Sequence, residues 1–562
     1  MLKEKLSSYF KLSFSVVVLG LASGAGAVSF MILVNFIYSH TILNFSLRSP
    51  VYFALASLIV VAISSLTAGI LLKFSLMSAG SGIPEVKAAY WKEMGHIDLK
   101  AGIIKYIAGA ITIGGGTSLG REGPSVFLGS AIATNLACLF GVPRRWLRGP
   151  NVIGAAAGLS AAFNAPLASV AFLIEEILGD LNSRHLGSIL LAAVAGAFVT
   201  HAIIGKHPAF IMPYLEETSW NLYLLVPLVA FACAGVGVFF QRSLLFLRAK
   251  LRTFKNIPLW IRPLIGGMTT WFIGTLTFVF TGKLGVFSLG YQDLSDALHG
   301  NFPWEVAGLL VLGKFIATCV SYASGGCGGI FAPTLFFGGM TGFFLAGLFS
   351  QWIPLGISDI TVLTAVGMAT CLGAVVRAPL TSLLIVFEMT HQFELVPGLL
   401  FGTFISQIVA RLGGPLNLYE ALLIQDGHEL HKIKPPLDLR SWQNLPVSAI
   451  ANYKPVVAHS LEKEELKNLI ENYPYTYFPL MEKNQVIGIL NRENIDNYLN
   501  EKEDIKVLPP VFCYEDETLR DVGNRFVESP TTLLLVKRRF DDKFVGLITL
   551  HDLIRAQISI ED

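Results

Sequence analysis

The stretch GTSLGREGPS, residues 116–125, places a carboxylate among glycines at the start of an apolar run. Glycines let backbone N–H groups face a ligand, and a proline near a helix start loses no hydrogen bond. The first turn of a helix carries free N–H groups and a partial positive charge, which together bind anions. The Glu122 carboxylate would compete with an anion for these N–H groups until a proton neutralised it. The pattern therefore predicts an anion site whose occupancy depends on a proton.

Two further glycine-rich segments have the same design, SAGSGIPEVKAAY at 78–90 and SGGCGGIFAPTLFFGG at 324–339. Each has a proline near the start of an apolar helix. A single segment of this kind more often serves close helix packing in a membrane. Three converging helix starts would instead form an anion site without any lysine or arginine in contact. Weak binding of that sort suits an ion that must both enter and leave.

The chain around these segments is too apolar for a soluble protein, since hydrophobic residues make up 53% of its 562 residues and charged residues 15%. Runs long enough to cross a bilayer as helices recur at 12–38, 51–72, 186–204, 222–240, 263–280 and 306–322. Elsewhere, at 101–180 and 325–412, glycine and proline break the apolar segments, as in discontinuous helices that line a path. We therefore expect a multi-pass α-helical membrane protein with many broken helices.

The membrane region repeats itself. GLSAAFNAPLASVAFLIEE (158–176) overlays CLGAVVRAPLTSLLIVFEM (371–389), and GGTSLGREGPSVFLGS (115–130) overlays SGGCGGIFAPTLFFGG (324–339). Many transporters consist of two related halves with the substrate site between them. The overlays predict the same architecture here.

The repeat separates the acidic residues into two kinds. Glu175 falls on Glu388, so we assign this shared carboxylate to the scaffold, as a helix cap or an interhelical hydrogen bond. Glu122 and Glu176 fall on apolar residues of the other half. An acid that only one half carries suits an asymmetric task such as proton handling, and an intramembrane acid is a candidate for a proton relay.

The C-terminal region differs in composition, because from about residue 436 the chain is charged and net acidic. VIGILNRENID (486–496) matches FVGLITLHDLI (544–554), and both read as a strand, a glycine turn and a helix start. This tail resembles a tandem pair of CBS domains, which are small α/β modules. The resemblance implies that Thr549 and Asp552 contact the ribose of an adenine nucleotide such as ATP. The first copy has Asn491 and Asn494 instead, and a pair that only packs and dimerises remains an alternative.

The motifs GSGIPE, GREGP and GGIFAP, followed by YEALL (419–423) and the CBS-like tail, resemble the CLC family of chloride channels and proton-coupled chloride transporters. The resemblance covers essentially the whole chain. It implies a homodimer with a CLC-type fold of two inverted halves. The domain bounds that follow are 1–430 for the membrane domain, 431–444 for a linker, and 445–500 and 506–562 for the CBS domains.

The resemblance also implies roles for single residues. The hydroxyls of Ser81 and Tyr419 and the backbone N–H groups of Ile330 and Phe331 would bind a central chloride. Glu122 would be the gating glutamate, and Glu176 would be the internal proton-transfer glutamate of exchangers. The remaining assignments are structural and concern three residues near the site: Arg121, Gly123 and the buried cation Lys105.

These inferences predict a chloride/proton antiporter. A passive voltage- or pH-gated chloride channel of the same fold is the nearest alternative, and Glu176 argues against it. A CBS-coupled divalent-cation transporter is more distant, because it would need acidic or carbonyl cages. The sequence has no Walker A, H-E-x-x-H or G-x-S-x-G motif, so we expect neither an enzyme nor a metal site, and we expect no required cofactor and no nucleic-acid partner.

The first eleven residues contain three lysines, which favours a cytoplasmic N-terminus. Together with the short N-terminus and compact loops, this predicts a bacterial inner membrane protein with its CBS domains in the cytoplasm.

Overall fold

The computed structural model describes residues 2–179, 185–206, 209–210, 215, 220–254, 256–428, 445–483, 485–501 and 504–558. The chain forms two compact units, Met1–Ile433 and Lys434–Asp562. Within the described ranges, nine helices are long and apolar enough to cross a bilayer, and they include all six runs predicted from the sequence. The chain is therefore an integral membrane protein. The predicted linker, 431–444, lies outside the described residues.

The membrane unit consists of α-helices of very different lengths. In chain order they are Leu2–Tyr38, Asn44–Ser46, Pro50–Leu72, Ile83–Lys92, Leu99–Gly114, Glu122–Leu139, Arg148–Phe163, Pro166–Phe172, Leu186–Ile203, Trp220–Thr253, Arg262–Thr281, Tyr291–Leu298, Trp304–Ala323, Phe331–Phe349, Ile357–Val376, Pro379–Thr390, Val396–Leu412 and Leu418–Gln425. The π-helical turn Leu173–Leu178 continues the helix Pro166–Phe172. Several of these helices are too short to span a bilayer, so the broken helices expected from the sequence are present.

Side-chain caps fix where some of the short helices begin. Asp98 accepts a hydrogen bond from the backbone N–H of Lys100 at 3.3 Å, ahead of the helix Leu99–Gly114. Asn417 accepts one from the backbone N–H of Glu420 at 2.8 Å, ahead of the helix Leu418–Gln425. Such caps satisfy N–H groups that have no partner within the helix. They are needed most where lipid or protein excludes water.

The two halves of the membrane unit pack their helices in the same way. The helix Glu122–Leu139 packs on the helix Arg148–Phe163, and the helix Phe331–Phe349 packs on the helix Ile357–Val376. A Cβ on Gly129 would overlap the carbonyl oxygen of Gly154, and one on Gly338 would overlap that of Gly367. Gly129 and Gly338 coincide in the sequence overlay. The predicted internal repeat is therefore confirmed.

Glu175 and Glu388 each cap a helix of the opposite half. Glu175 accepts hydrogen bonds from the backbone N–H groups of Leu380 and Thr381 at 3.0 and 2.9 Å. Glu388 accepts hydrogen bonds from those of Leu167 and Ala168 at 2.9 and 2.7 Å. The end of each helical segment thus lies beside the start of the other, so the two segments are antiparallel. The scaffold role predicted for this carboxylate is confirmed, and at these helices the halves are inverted.

The soluble unit contains one pattern twice, a helix followed by two strands and a second helix. The first copy comprises Lys463–Asn472, Tyr477–Glu482, Gln485–Asn491 and Arg492–Leu499, and the second comprises Leu519–Glu528, Leu533–Lys537, Phe544–Thr549 and Leu550–Ile558. The central strands pair antiparallel in both copies. The short strand Val507–Leu508 joins the first sheet, and Phe512–Tyr514 joins the second.

Glycine permits close packing at the same place in both copies. A Cβ on Gly488 would overlap the side chain of Val507, and one on Gly546 would lie 2.5 Å from the carbonyl oxygen of Asn452. Asn452 also exchanges backbone hydrogen bonds with Leu547 at 2.9 and 3.1 Å. The repeat that the sequence showed in the tail is thus a repeat of structure.

Candidate anion and proton site

The three glycine-rich segments meet, as the sequence predicted. The N–H of Gly80 donates to the carbonyl oxygen of Gly326, and the N–H of Gly328 donates to that of Gly80, both at 3.1 Å. Gly120 and Gly329 each donate to the other's carbonyl oxygen, at 2.7 and 2.6 Å. Hydrogen bonds between backbones therefore hold the starts of three helices together.

Only glycine allows this approach at Gly123. A Cβ on Gly123 would lie 2.7 Å from the carbonyl oxygen of Ser81 and 2.9 Å from its Cβ. A Cβ on Gly329 would in turn lie 3.0 Å from the backbone nitrogen of Gly123. The first, second and third segments thus contact one another more closely than side chains would permit.

The backbone donors assigned to chloride lie at the third helix start. Ile330 is the N-cap residue of the helix Phe331–Phe349, and Phe331 is its first residue. Both are fully buried. N–H groups at such positions have no partner within the helix and carry the positive end of its dipole. They are therefore available to an anion.

The two hydroxyls assigned to chloride are also fully buried. The Tyr419 hydroxyl has no hydrogen-bond partner in the part of the chain that the structure describes. Its ring centroid lies 6.4 Å from that of Phe331, the first residue of the third helix. Ser81 Oγ accepts a hydrogen bond from the N–H of Ile83 at 3.3 Å, which does not use its hydroxyl proton. A buried donor without a partner is unfavourable, and an anion beside Tyr419 would satisfy it.

The Glu122 carboxylate is fully buried and lies at the meeting of the helix starts. A Cβ on Gly120 would lie 2.5 Å from Glu122 Oε2 and 3.2 Å from the backbone nitrogen of Ala332. The carboxylate is therefore close to the positive end of the helix Phe331–Phe349. Glu122 Oε1 accepts a hydrogen bond from the hydroxyl of Tyr291 at 2.8 Å, a partner that no motif of the sequence predicts.

The cations near this site contact backbone and amide oxygens. Lys105 is fully buried and donates to the carbonyl oxygens of Ala79 and Gly80 at 3.1 and 2.7 Å, just before Ser81. Arg121 donates to Asn35 Oδ1 at 3.2 Å. Lys105 thus holds the first glycine-rich segment in place.

Glu176 lies in a buried cluster of charges that does not include Glu122 among its described hydrogen-bond partners. It accepts hydrogen bonds from Lys87 Nζ at 2.9 Å and from Asn417 Nδ2 at 2.8 Å. Lys87 Nζ is also 3.4 Å from a carboxylate oxygen of Glu420, whose side chain is 27% exposed. Lys87 and Asn417 were missed in the sequence, although a lysine within an apolar, glycine-rich segment is itself a signal of a buried partner.

One short helix connects this cluster to the anion site. Tyr419 and Glu420 both lie on the helix Leu418–Gln425, and Asn417 caps its start. The helix Ile83–Lys92 likewise follows Ser81 and carries Lys87. The hydroxyls assigned to chloride and the charged residues around Glu176 therefore lie on, or directly before, the same two helices.

Two cavities reach residues of the site. One of about 670 Å³ is lined by Ala79, Gly80 and Tyr322 next to the first glycine-rich segment. The other, of about 530 Å³, is lined by Arg121 and Tyr291, which flank Glu122. The residues that flank Glu122 and those that precede Ser81 therefore line different cavities.

In the tail, Thr549 and Asp552 bind each other. The backbone N–H and the hydroxyl of Thr549 donate to Asp552 Oδ2 at 2.9 and 2.7 Å, and the N–H of Asp552 donates to Thr549 Oγ1 at 3.2 Å. This reciprocal pattern is a capping box at the start of the helix Leu550–Ile558. The pair has a structural role, and its contact with a nucleotide stays a prediction.

The family model for voltage gated chloride channels matches residues 64–411. The chain belongs to the CLC family. A CBS domain model matches residues 503–559, so this CLC protein carries a CBS domain at its C-terminal end. The stretch 445–500 also contains a helix, two strands and a second helix in that order.

Among the curated relatives, some are named as chloride channels and others as H(+)/Cl(-) exchange transporters. The chain is 30% identical to the voltage-gated ClC-type chloride channel ClcB of Salmonella typhimurium over 364 residues. This aligned region covers 63% of this chain and 84% of the relative. Over 363 residues the chain is 29% identical to the H(+)/Cl(-) exchange transporter ClcA of Vibrio campbellii, with 62% and 75% covered.

Solved structures agree with the fold. A slow cyanobacterial Cl⁻/H⁺ antiporter matches with a TM-score of 0.65 at 25% identity, covering 74% of this chain and 97% of that one. A eukaryotic CLC transporter matches with a TM-score of 0.63 at 19% identity, covering 97% and 98%. The second match extends over 97% of the chain, so the likeness in fold includes the soluble unit as well as the membrane unit.

Proposed function

We propose that this CLC protein exchanges chloride for protons across its membrane, with Glu122 as the gating glutamate and Glu176 as the internal proton-transfer glutamate. One observation carries the proposal. The buried Glu122 carboxylate lies where helix starts converge, and the buried Tyr419 hydroxyl near the same helix start has no partner among the described residues. A carboxylate and an anion that need the same donors exclude each other.

The exchange follows from this competition. Ionised Glu122 takes the place of chloride beside the helix starts. A proton removes its charge, so chloride then binds the hydroxyls of Ser81 and Tyr419 and the N–H groups of Ile330 and Phe331. When Glu122 loses its proton again, the carboxylate displaces the chloride. Proton and chloride occupancy are thereby linked.

Glu176 provides the second proton position. Its carboxylate is buried and paired with Lys87. Lys87 also lies 3.4 Å from Glu420, so protonation of Glu176 would leave the lysine with another carboxylate. A buried cation without any anion is strongly unfavourable, and the second partner avoids that state. Glu420 is partly exposed, which places this cluster within reach of solvent.

A passive chloride channel is the second candidate. The Lys87–Glu176 ion pair at 2.9 Å favours it, because a carboxylate that is held by a lysine accepts a proton less readily. The name of the ClcB relative is consistent with this alternative.

The dimer, the two CBS domains and the nucleotide contact follow from the family resemblance, and the membrane and orientation follow from the basic N-terminus and the compact loops. We propose a homodimer in a bacterial inner membrane, with the N-terminus and the tail in the cytoplasm. The membrane domain would span 1–430, and two CBS domains, 445–500 and 506–562, would follow the linker. An adenine nucleotide would bind the tail at Thr549 and Asp552.

The deciding experiment measures chloride efflux from proteoliposomes while the external pH is recorded without buffer. An outward chloride gradient should drive protons inward against a proton gradient. A potassium ionophore compensates the charge that leaves with chloride. Chloride efflux under that condition without opposing proton movement would contradict exchange and support the channel. Liposomes without protein, and liposomes with the Glu176→Gln variant, serve as controls.

A further inference from the structure

We propose that Tyr291 is a positioning residue that holds the Glu122 carboxylate in the anion site and so sets the pH at which chloride can replace it. The inference rests on the proposed role of Glu122. Its starting point is the hydrogen bond of 2.8 Å from the Tyr291 hydroxyl to Glu122 Oε1. Among the described residues, Tyr291 is the side chain that donates a hydrogen bond to this carboxylate.

The loop before Tyr291 is fixed on two sides. The buried Lys314 donates to the carbonyl oxygens of Gly285 and Ser288, both at 2.8 Å. The N–H of Ser288 donates to the carbonyl oxygen of Gly116 at 3.0 Å, which ties the loop to the segment that carries Glu122. The distance between the Tyr291 helix and Glu122 is therefore set by backbone contacts.

The Tyr291 helix begins as the Ser81 segment does. Lys314 coincides with Lys105 when Gly329 is laid over Gly120, and both lysines donate to carbonyl groups ahead of a short helix. The residue before each helix is a glycine in the left-handed region, Gly82 with φ 90° and Gly290 with φ 76°.

The starts of the helices Ile83–Lys92 and Tyr291–Leu298 therefore have related roles. The start in the first half presents the Ser81 hydroxyl, which we assign to chloride. The start in the second half presents the Tyr291 hydroxyl, which donates to the carboxylate that takes the place of chloride. One structural device thus provides a hydroxyl donor for each of the two competing anions.

Other titratable or charged groups on the surrounding elements do not duplicate this contact. Arg121, next to Glu122 in the chain, donates to Asn35. Asp293 on the Tyr291 helix lies 3.8 Å from Lys283, and Tyr419 has no hydrogen-bond partner in the described part of the chain. The first turn of the helix Phe331–Phe349 contains no titratable residue.

The expected consequence is a shift along the pH axis. A hydrogen bond to a carboxylate stabilises its charged form, so losing the bond makes protonation easier. Loss of a hydrogen bond to a charged group should raise the pH of half-maximal chloride transport by about one unit, which is roughly a tenfold change in proton concentration.

The test uses Tyr291→Phe, which removes the hydroxyl and retains the ring that contacts Phe210 at 5.2 Å. Chloride efflux is measured at equal pH on both sides of the liposome. We expect the midpoint to move upward by about one unit, with wild-type efflux at acid pH. Tyr106→Phe is the matched control, because the Tyr106 hydroxyl donates to Ser29. A midpoint equal to that of wild type would overturn the inference.

A double-variant comparison tests whether Tyr291 acts through Glu122. In a Glu122→Gln background the carboxylate is absent, so adding Tyr291→Phe should not change the pH profile. An equal shift in both backgrounds would show that the tyrosine acts elsewhere. Wild-type efflux at acid pH excludes misfolding of the variant.

Chloride titration calorimetry separates this inference from the proposed function. At alkaline pH the Tyr291→Phe protein should bind chloride several-fold more tightly than wild type, because the carboxylate competes less well. This readout does not require proton exchange, so it holds for a passive channel too. Missing proton movement would contradict the exchange alone, and unchanged chloride affinity would contradict the role of Tyr291 alone.

Discussion

Gly120 and Gly329 donate a backbone hydrogen bond to each other, and they are also counterparts in the internal repeat. A residue that pairs with its own counterpart lies at the pseudo-twofold axis that relates the halves. The candidate anion site is therefore on that axis, where the helix starts of both halves meet. The side chains break the symmetry, because Glu122 occupies one side and its counterpart is Phe331.

Replacing Glu122 by glutamine should abolish proton movement and make chloride transport independent of pH. The amide has the size of the carboxylate but neither its charge nor its titration, so it competes poorly with chloride for N–H groups. Proteoliposome efflux between acid and alkaline pH measures the effect. The exposed Glu305 provides the control variant Glu305→Gln, which should behave as wild type. A strong pH dependence in Glu122→Gln would contradict the gating role.

The Glu176→Gln variant should retain chloride transport within a few-fold and lose proton movement. Glutamine can still accept hydrogen bonds from Lys87 and Asn417, and Lys87 keeps Glu420 as its anion. Parallel recording of chloride and proton fluxes gives the number of protons moved per chloride. An unchanged ratio would mean that protons reach Glu122 by another path.

Removing the Glu388 carboxylate should lower stability and leave the exchange ratio unchanged. Glu388→Ala leaves the N–H groups of Leu167 and Ala168 without their acceptor, at a cost of about 1–3 kcal/mol for buried groups. Thermal unfolding in detergent should show a lower Tm. The exposed neighbour Glu394 gives the control Glu394→Ala, whose Tm should match wild type. A changed ratio of protons to chloride in Glu388→Ala would assign this acid to transport.

A methyl group at Gly123 should disrupt the anion site. Its carbon would lie 2.7 Å from the carbonyl oxygen of Ser81, so the first and second segments must separate. We expect chloride affinity, measured by calorimetry, to fall by about tenfold, which equals about 1.4 kcal/mol. Gly187→Ala is the matched control, since a Cβ there meets nothing within 4 Å. Wild-type affinity in Gly123→Ala would exclude the tight approach from a role in binding.

Two roles of Thr549 and Asp552 can be separated with the full-length protein. Loss of the capping box in Asp552→Ala should lower the Tm of the soluble unit, because a helix cap contributes about 0.5–2 kcal/mol. A nucleotide contact should appear as an increase of the wild-type Tm on addition of ATP, and the variant should lack it. A wild-type Tm that does not respond to ATP would leave only the structural role.

The sequence was sufficient wherever a local pattern or the repeat carried the information. The long apolar runs predicted the membrane helices, and the overlay of Glu175 on Glu388 predicted a scaffold carboxylate, whose hydrogen bonds cap helices of the opposite half. The glycine-rich motifs correctly predicted that three helix starts converge, because glycine at close backbone approaches has a direct physical cause.

The partners of the two single-half acids could not be read in the same way. Lys87 and Glu176 are 89 residues apart, Glu176 and Asn417 are 241 apart, and Tyr291 and Glu122 are 169 apart. Contacts over such separations depend on how complete helices pack. Tyr291 also lacks a glycine-proline motif of the kind that marked the other helix starts.

The reciprocal caps have a consequence for biosynthesis. The helix Pro166–Phe172 leaves the ribosome long before Glu388, so the carboxylate that caps it does not yet exist. Within a bilayer, no water is present to accept hydrogen bonds from these N–H groups in place of the carboxylate. The first half can complete its hydrogen bonding only after the second half has been inserted. A chain truncated before residue 379 is therefore expected to be degraded rather than to accumulate as half a transporter.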